Sequence, residues 1–207
     1  MASEQKRERD RQEMRETILR AAMRLFLEES FEKTTMRRIA QEIEYTPGTL
    51  YWYFKDKDEI LFALHQRGFE ILFAMQQPTL AIGDPVERLR KLAEIYIEFA
   101  FENPQYYDLM FINSATARCI QEMEEWKVGE AAYNVLRETV RQVIAAGRFR
   151  GTDDADVGAF ACWAAVHGIA SLIIRGRCHM FAEEDRHRIL REAAMLYMHL
   201  TRSPGEN

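Results

Sequence analysis

The sequence predicts an all-α fold in two parts: a small N-terminal three-helix, helix-turn-helix domain over residues 1–60 and a larger C-terminal helical bundle over residues 61–207. Three observations predict it. Apolar residues recur at i, i+3, i+4 and i+7 in segment after segment, and no long stretch alternates as a half-buried strand would. Four of the five prolines, Pro47, Pro85, Pro104 and Pro204, stand where helices start or beyond the last one. At 207 residues and 47% hydrophobic content, the chain can supply one small core and one larger one.

The first helix, about Arg11 to Glu29, sets Met14, Ile18, Ala22, Leu25 and Phe26 on one stripe. The residues before it alternate Lys/Arg with Glu/Asp. They suit a solvated, ion-paired or frayed arm, the alternative being phosphate or minor-groove contact by Lys6, Arg7, Arg9 or Arg11. Thr34 or Thr35 can cap a second helix with Met36, Ile39, Ala40 and Ile43 on one face. After a four-residue turn, Thr46 can cap a third, of about three turns, with Pro47 at its first position. On that helix Leu50, Tyr53 and Phe54 point inward, while Thr49, Tyr51 and Trp52 point outward. Large aromatics on an exposed face are hard to explain as packing. Gly48 lets the backbone approach a partner closely. One short helix across a phosphate backbone and a second presenting side chains to base edges is the layout of a DNA-reading module.

Thr34, Thr35, Ile39, Ala40, Thr46, Gly48, Leu50, Tyr51, Tyr53, Phe54, Lys57, Glu59 and Leu61 together match a pattern of fixed positions. In them the segment resembles the N-terminal domain of TetR/AcrR-family transcriptional regulators. The strong match runs from about Leu25 to Leu64. The resemblance implies that Thr35 and Lys57 grip phosphates flanking the groove, Lys57 at the N-terminus of the connecting helix. The candidate DNA-binding set is Thr35, Arg37, Thr46, Pro47, Gly48, Thr49, Tyr51, Trp52, Tyr53 and Lys57. On this reading Lys57→Ala weakens binding to all sequences alike and lowers the salt slope by about one unit. Two positions depart from the family pattern, which usually has glycine where this chain has Ser30 and Glu44. A glutamate at positive φ costs on the order of 1 kcal/mol, so either the strain is accepted or the turn takes another shape.

A helix from Asp56 to Gln76, carrying Ile60, Leu61, Leu64, Phe69, Ile71 and Leu72, links the two parts. Past the turn at Ile82–Pro85, one helix runs to about Glu102 and a short one opens at Asn103–Pro104. A long one follows from about Arg118 to Ala146, closed by Gly147. Tyr96, Phe99, Phe101, Tyr106, Tyr107, Phe111, Trp126 and Tyr133 crowd this region, as plain core or as the wall of a cavity for an apolar or aromatic effector. TetR-like regulators place their inducer site here, which makes Tyr96, Phe99, Tyr107, Phe111, Trp126, Trp163 and His167 the candidate effector residues. Val157 to Ile174 has no charge in 18 residues, the lower limit for a membrane span. His167, Ser171 and many small residues argue instead for a helix buried on all sides at a subunit interface, with no membrane. The last helix, about Glu184 to Thr201 with Ile189, Ala193, Leu196, Tyr197 and Leu200 on one face, completes a homodimer through the last two helices. Gly147-Arg-Phe-Arg-Gly151 and Trp163-x-x-x-His167-Gly168 are similar to a C-terminal ligand-binding and dimerisation domain of the WHG type. His167 reads as an interface or core histidine or as an effector contact.

The net charge is −5, and residues 1–60 hold 12 Lys/Arg against 13 Asp/Glu, so no basic domain shows in bulk. Phosphate affinity depends on the face presented: Lys33, Arg37, Arg38, Lys55 and Lys57 stand against Glu42, Glu44 and Asp56. The odd cysteine count, Cys119, Cys162 and Cys178, without a C-x-x-C pair, reads as reduced thiols, and the N-terminus lacks an apolar signal region. Both point to the cytoplasm. Glu184-x-x-His187 has the spacing of half a di-iron site, but no second pair accompanies it, and phosphate-loop and protease patterns are absent. The expectation is a ligand-responsive transcriptional regulator, not an enzyme, with no cofactor and no metal. It binds a palindromic double-stranded DNA operator as a homodimer and acts as a repressor released by a small apolar or aromatic effector. The alternatives are a helical adaptor without DNA binding and a metal-dependent bundle enzyme.

Overall fold

The computed structural model describes residues 2–113, 116 and 127–200, and among these the chain forms nine α-helices and no β-strand. Helix α1 spans Ala2–Glu28, beginning well before the expected Arg11. Its charged start is helical and exposed, laced by pairs such as Gln12 with Glu8 at 3.0 Å and Arg9 with Glu13 at 3.8 Å. Ser30 follows at φ 76° and turns the chain back. Its carbonyl accepts from Thr34 Oγ1 at 2.8 Å, and Thr34 is buried. Thr35 is therefore the cap of α2 (Met36–Glu42), its hydroxyl accepting from Arg38 N at 3.1 Å.

The turn after α2 takes the strained course. Tyr45 N donates to Ala40 O at 2.9 Å and Glu44 N to Gln41 O at 3.2 Å, with Glu44 at φ 60° in the left-handed position that glycine usually fills. Glu44→Gly is expected to stabilise the protein by about 0.5–1 kcal/mol, the relief of strain less the extra unfolded-state entropy of glycine. Urea denaturation of the two proteins measures it, and an unchanged midpoint would mean that the turn relaxes around the glutamate.

Helix α3 covers Pro47–Tyr51, five residues in place of the three turns expected, with Thr46 accepting from Thr49 N at 3.4 Å. It stops because the N–H groups of Tyr53 and Phe54 both fold back onto Leu50 O, at 2.9 and 3.0 Å. Helix α4 (Lys57–Gln76) opens on Asp56, whose Oδ1 accepts from Glu59 N at 2.9 Å, while Glu59 Oε2 accepts from Lys55 N at 2.6 Å. A 3₁₀ turn at Gln77–Ala81 leads to α5 (Pro85–Glu102), capped by Asp84, and α6 (Pro104–Phe111) follows. Helix α7 is described from Lys127 to Ala145, and its expected start near Arg118 lies outside the described residues. It ends at Gly147, φ 68°. Helix α8 (Ala155–Ile174) is capped by Asp154, and α9 spans Glu183–Leu200.

The chain forms two compact units, Met1–Gly68 with Gln105–Trp126, and Phe69–Pro104 with Lys127–Asn207. This division differs from the expected cut after residue 60. The core of the first unit joins Ile18, Leu25 and Phe26 of α1 to Ile39, Leu50, Phe54, Ile60, Leu61 and Leu64, and Leu109 of α6 is buried among them. The bare Cα of Gly68 on α4 lets α6 pack closely here: a Cβ at that position would sit 2.2 Å from Met110 Sδ. In the second unit α5 packs on α7 and α8, and α8 on α9. Gly158 lets α8 approach closely, since a Cβ there would come within 2.9 Å of Val140 Cγ1. The opposite side of α8 is open: Val157, Phe160 and Leu172 are each more than half exposed, as is Leu196 of α9.

Candidate nucleic-acid interface and apolar cleft

Of the three side chains predicted to face outward, Tyr51 at the end of α3 is 57% exposed and Trp52, just past it, 84%. Thr35, Arg37, Thr46, Pro47 and Gly48 are exposed around them, Thr49 is half-buried, and its hydroxyl meets that of Thr46 at 3.1 Å. Tyr53 is half-buried against the core, which accounts for its inward position. Tyr45, at 47% exposure, joins the same face and was not singled out from the sequence. It shares a shallow surface groove with Arg37, Gln41, Glu44 and Pro47.

A short helix needs outside help to hold its angle. Arg15 of α1 supplies some, donating from Nη1 to Tyr53 O at 2.6 Å and lying over the Phe54 ring at 4.1 Å. With the partners 38 positions apart in sequence, no local pattern announces this contact. Arg38 binds Glu29 at 2.9 Å and Glu42 at 2.7 Å, tying α1 to α2, and the hydrogen bond from Arg38 holds the Glu42 carboxyl below its ordinary range.

Lys57 is placed differently from the phosphate grip that the resemblance implies. Its ammonium points at three carbonyls of the α1–α2 loop, Phe31 O at 2.8 Å, Thr34 O at 3.3 Å and Glu32 O at 3.4 Å, and sits 4.2 Å from the Phe31 ring centre. An ammonium has three protons, and these contacts engage them. Lys57→Ala is therefore expected to destabilise the protein by about 1–2 kcal/mol through unsatisfied carbonyls, with the salt slope of DNA binding unchanged. A slope lowered by one unit at unchanged stability would restore the phosphate role.

The second unit holds a small cleft of about 330 Å³, open mouth included, lined by Gln76, Leu89, Leu92, Ala93, Tyr96, Leu136, Cys162, Trp163 and Val166. At its edge Trp163 Nε1 donates to Tyr96 Oη at 3.3 Å, and Tyr96 Oη lies 2.9 Å from His167 Nδ1. The Tyr96 hydroxyl has one proton and two lone pairs, so while accepting from tryptophan it either donates to a bare His167 Nδ1 or accepts from a protonated one, according to the tautomer. Burial pushes the His167 pKa down. The Cys162 thiol is pushed up to about 12 by burial and stays protonated, and Cys162 and Cys178 are both free and buried.

Of the seven aromatic and histidine candidates, Tyr96 and Trp163 line the cleft and His167 is bonded behind them. Phe99 is fully buried on α5. Tyr107 and Phe111 pack on each other in the first unit, ring centres 5.2 Å apart, and are not among the residues that line the cleft. The aromatics are dense along the chain, but these two belong to the other compact unit. Trp126, like Cys119, lies outside the described residues. The cleft also brings in Gln76, Leu89, Leu92, Ala93, Leu136, Cys162 and Val166, which no sequence motif marks. Glu184 is exposed at the start of α9, and the side chain of His187 lies outside the described ones.

Two family models match the chain. Residues 18–64 match bacterial regulatory proteins of the tetR family, and residues 89–195 match the tetracyclin repressor-like C-terminal domain. The HTH-type transcriptional regulator HbdR of Aromatoleum sp. (strain CIB) is 45% identical over 80 residues, 38% of this chain and 34% of that protein. A Staphylococcus aureus HTH-type transcriptional regulator is 41% identical over 63 residues, 30% of this chain. The chain thus matches about a third of the length of these curated relatives, 34% in each case. Among solved structures, the fatty acid degradation regulator FadR from Bacillus halodurans superposes with a TM-score of 0.71 at 16% identity, over 89% of this chain and 94% of that one. The TetR-family transcriptional regulator PfmR from Thermus thermophilus does so with a TM-score of 0.66 at 21% identity, over 88% and 97%. At such identities the superpositions speak to the fold.

Proposed function

This chain belongs to the TetR family of transcriptional regulators, and from that premise we propose that it is a cytoplasmic repressor, binding a palindromic operator as a homodimer and released by a small apolar effector. One observation carries the DNA-reading half. Around Gly48, Tyr51 and Trp52 stand free on a helix fixed at both ends, and a Cβ at Gly48 would meet nothing nearer than Thr46 Oγ1 at 3.8 Å. Packing within the chain does not require glycine there, whereas close approach of another backbone does. Arg37 and Thr35 flank this surface for phosphate contact.

The open face of α8 supports the dimer. A 20-residue helix with 28% of its apolar window buried needs a cover, and a second copy of α8 and α9 across a two-fold axis is a self-complementary one. Two reading helices so related suit half-sites about 34–36 Å apart or a little more. The cleft supports release: it is narrow, so an effector enters by parting the helices around it. A ligand favouring the parted form weakens DNA binding by the same factor that DNA weakens the ligand, typically 1–3 kcal/mol.

Selection from random DNA at near-physiological salt tests the proposal. Enrichment of a palindrome bound by a dimer is the expected result. If no sequence is enriched and binding disappears with added salt, the chain is an adaptor and the operator reading falls.

A further inference from the structure

Given that the cleft is the effector site proposed above, we infer that Gln76 is its polar anchor and selects neutral, mainly apolar effectors carrying one hydrogen-bond donor, a hydroxyl or an N–H. Gln76 ends α4, is 7% exposed and lines the cleft. Its Oε1 is buried without a hydrogen-bond partner, a costly state for an amide oxygen. The nearby Thr79 hydroxyl does not relieve it, because Thr79 Oγ1 donates to the backbone carbonyl of Gln76 at 2.7 Å. The other polar groups of the cleft are engaged with one another: Trp163 Nε1 with Tyr96 Oη, and Tyr96 Oη with His167. The remaining walls are apolar apart from the Cys162 thiol.

A molecule that parts these walls therefore meets apolar side chains and, at Gln76, a buried acceptor without a partner. Among the described residues no Lys, Arg, Asp or Glu lines the cleft, so a charged effector would be desolvated without compensation. A molecule lacking a donor would leave Gln76 as it is. A phenol, an aromatic or aliphatic alcohol, or an N–H heterocycle would satisfy it and fill the apolar space together.

Calorimetric titration of the full chain with two matched pairs tests this: 4-ethylphenol against 4-ethylanisole, and indole against 1-methylindole. The expected result is that the donor-bearing member of each pair binds about tenfold tighter or more, the factor for one good buried hydrogen bond. In Gln76→Leu or the more nearly isosteric Gln76→Met the preference disappears, and the thermal midpoint without ligand rises. Equal affinities within both pairs for the wild type would overturn the role of Gln76, showing that water satisfies it, while leaving the cleft as an effector site. Binding of none of the four at millimolar concentration would overturn both. The comparison on the wild type stands whether or not either variant folds.

Discussion

Lowering the pH from 6.5 to 4 is expected to cost the N-terminal unit about 3 kcal/mol of stability through His65 alone. His65 lies on α4 with 1% of its surface exposed, and burial pushes its pKa down from 6.5 to about 4. Between those values the unfolded chain holds a proton that the folded one does not. Stability in that window rises with pH and falls as acid is added. Above 6.5 both forms are neutral at this residue and nothing is lost; below 4 both are protonated and the loss is complete. Urea denaturation at intervals from pH 4 to 7, for wild type and His65→Gln, isolates the effect, because the carboxylates are common to both. The stability of the wild type should fall more steeply, by about one proton's worth. Parallel curves would show that His65 carries its proton in the folded protein as well.

Tyr51→Ala is expected to lower affinity for the selected operator by about 10–100-fold, the range for losing one base-reading side chain, and to leave binding to scrambled DNA unchanged. Fluorescence anisotropy with the two duplexes reads both. An equal loss on both would make Tyr51 a backbone contact. Gly48→Ala provides a companion test in which two effects take opposite signs. A helical alanine stabilises the fold by up to about 1 kcal/mol over glycine, yet its methyl group should hold the backbone off the DNA and weaken operator binding. A variant that is both more stable and a poorer binder cannot be explained by damage to the domain.

Local chemistry made the frame of this protein readable in its sequence. Thr35 and Thr46 cap helices through contacts within three residues and Pro47 opens α3 at its first position, so their roles follow from spacing. Ser30 and Glu44 stand where the family pattern calls for glycine, and the positive φ at each shows the backbone demand persisting after the residue has changed. Contacts made at a distance were not readable. The brevity of α3 depends on where the chain folds back after Tyr51, and Arg15 holds that ending from another helix. The Lys57 ammonium turns toward a loop more than 20 residues earlier. Gln76 looks like an ordinary polar residue at a helix end until the walls around it are assembled. The aromatic crowd from Tyr96 to Trp163 gave a region but not a list, because neighbours in sequence there belong to different compact units.

That the first core closes on Leu109 bears on how such a protein can be made and recombined. A ribosome releases every residue of the helix-turn-helix long before the domain is finished, since the last piece of its core follows residues 69–104, which belong to the other unit. Until α6 emerges, the core of the nascent domain lacks one of its buried members. A chimera joined within α4 just after residue 64, where the family match ends, would carry the reading surface on an unfinished base. One that grafts α6 along with residues 1–68 would transplant a complete domain.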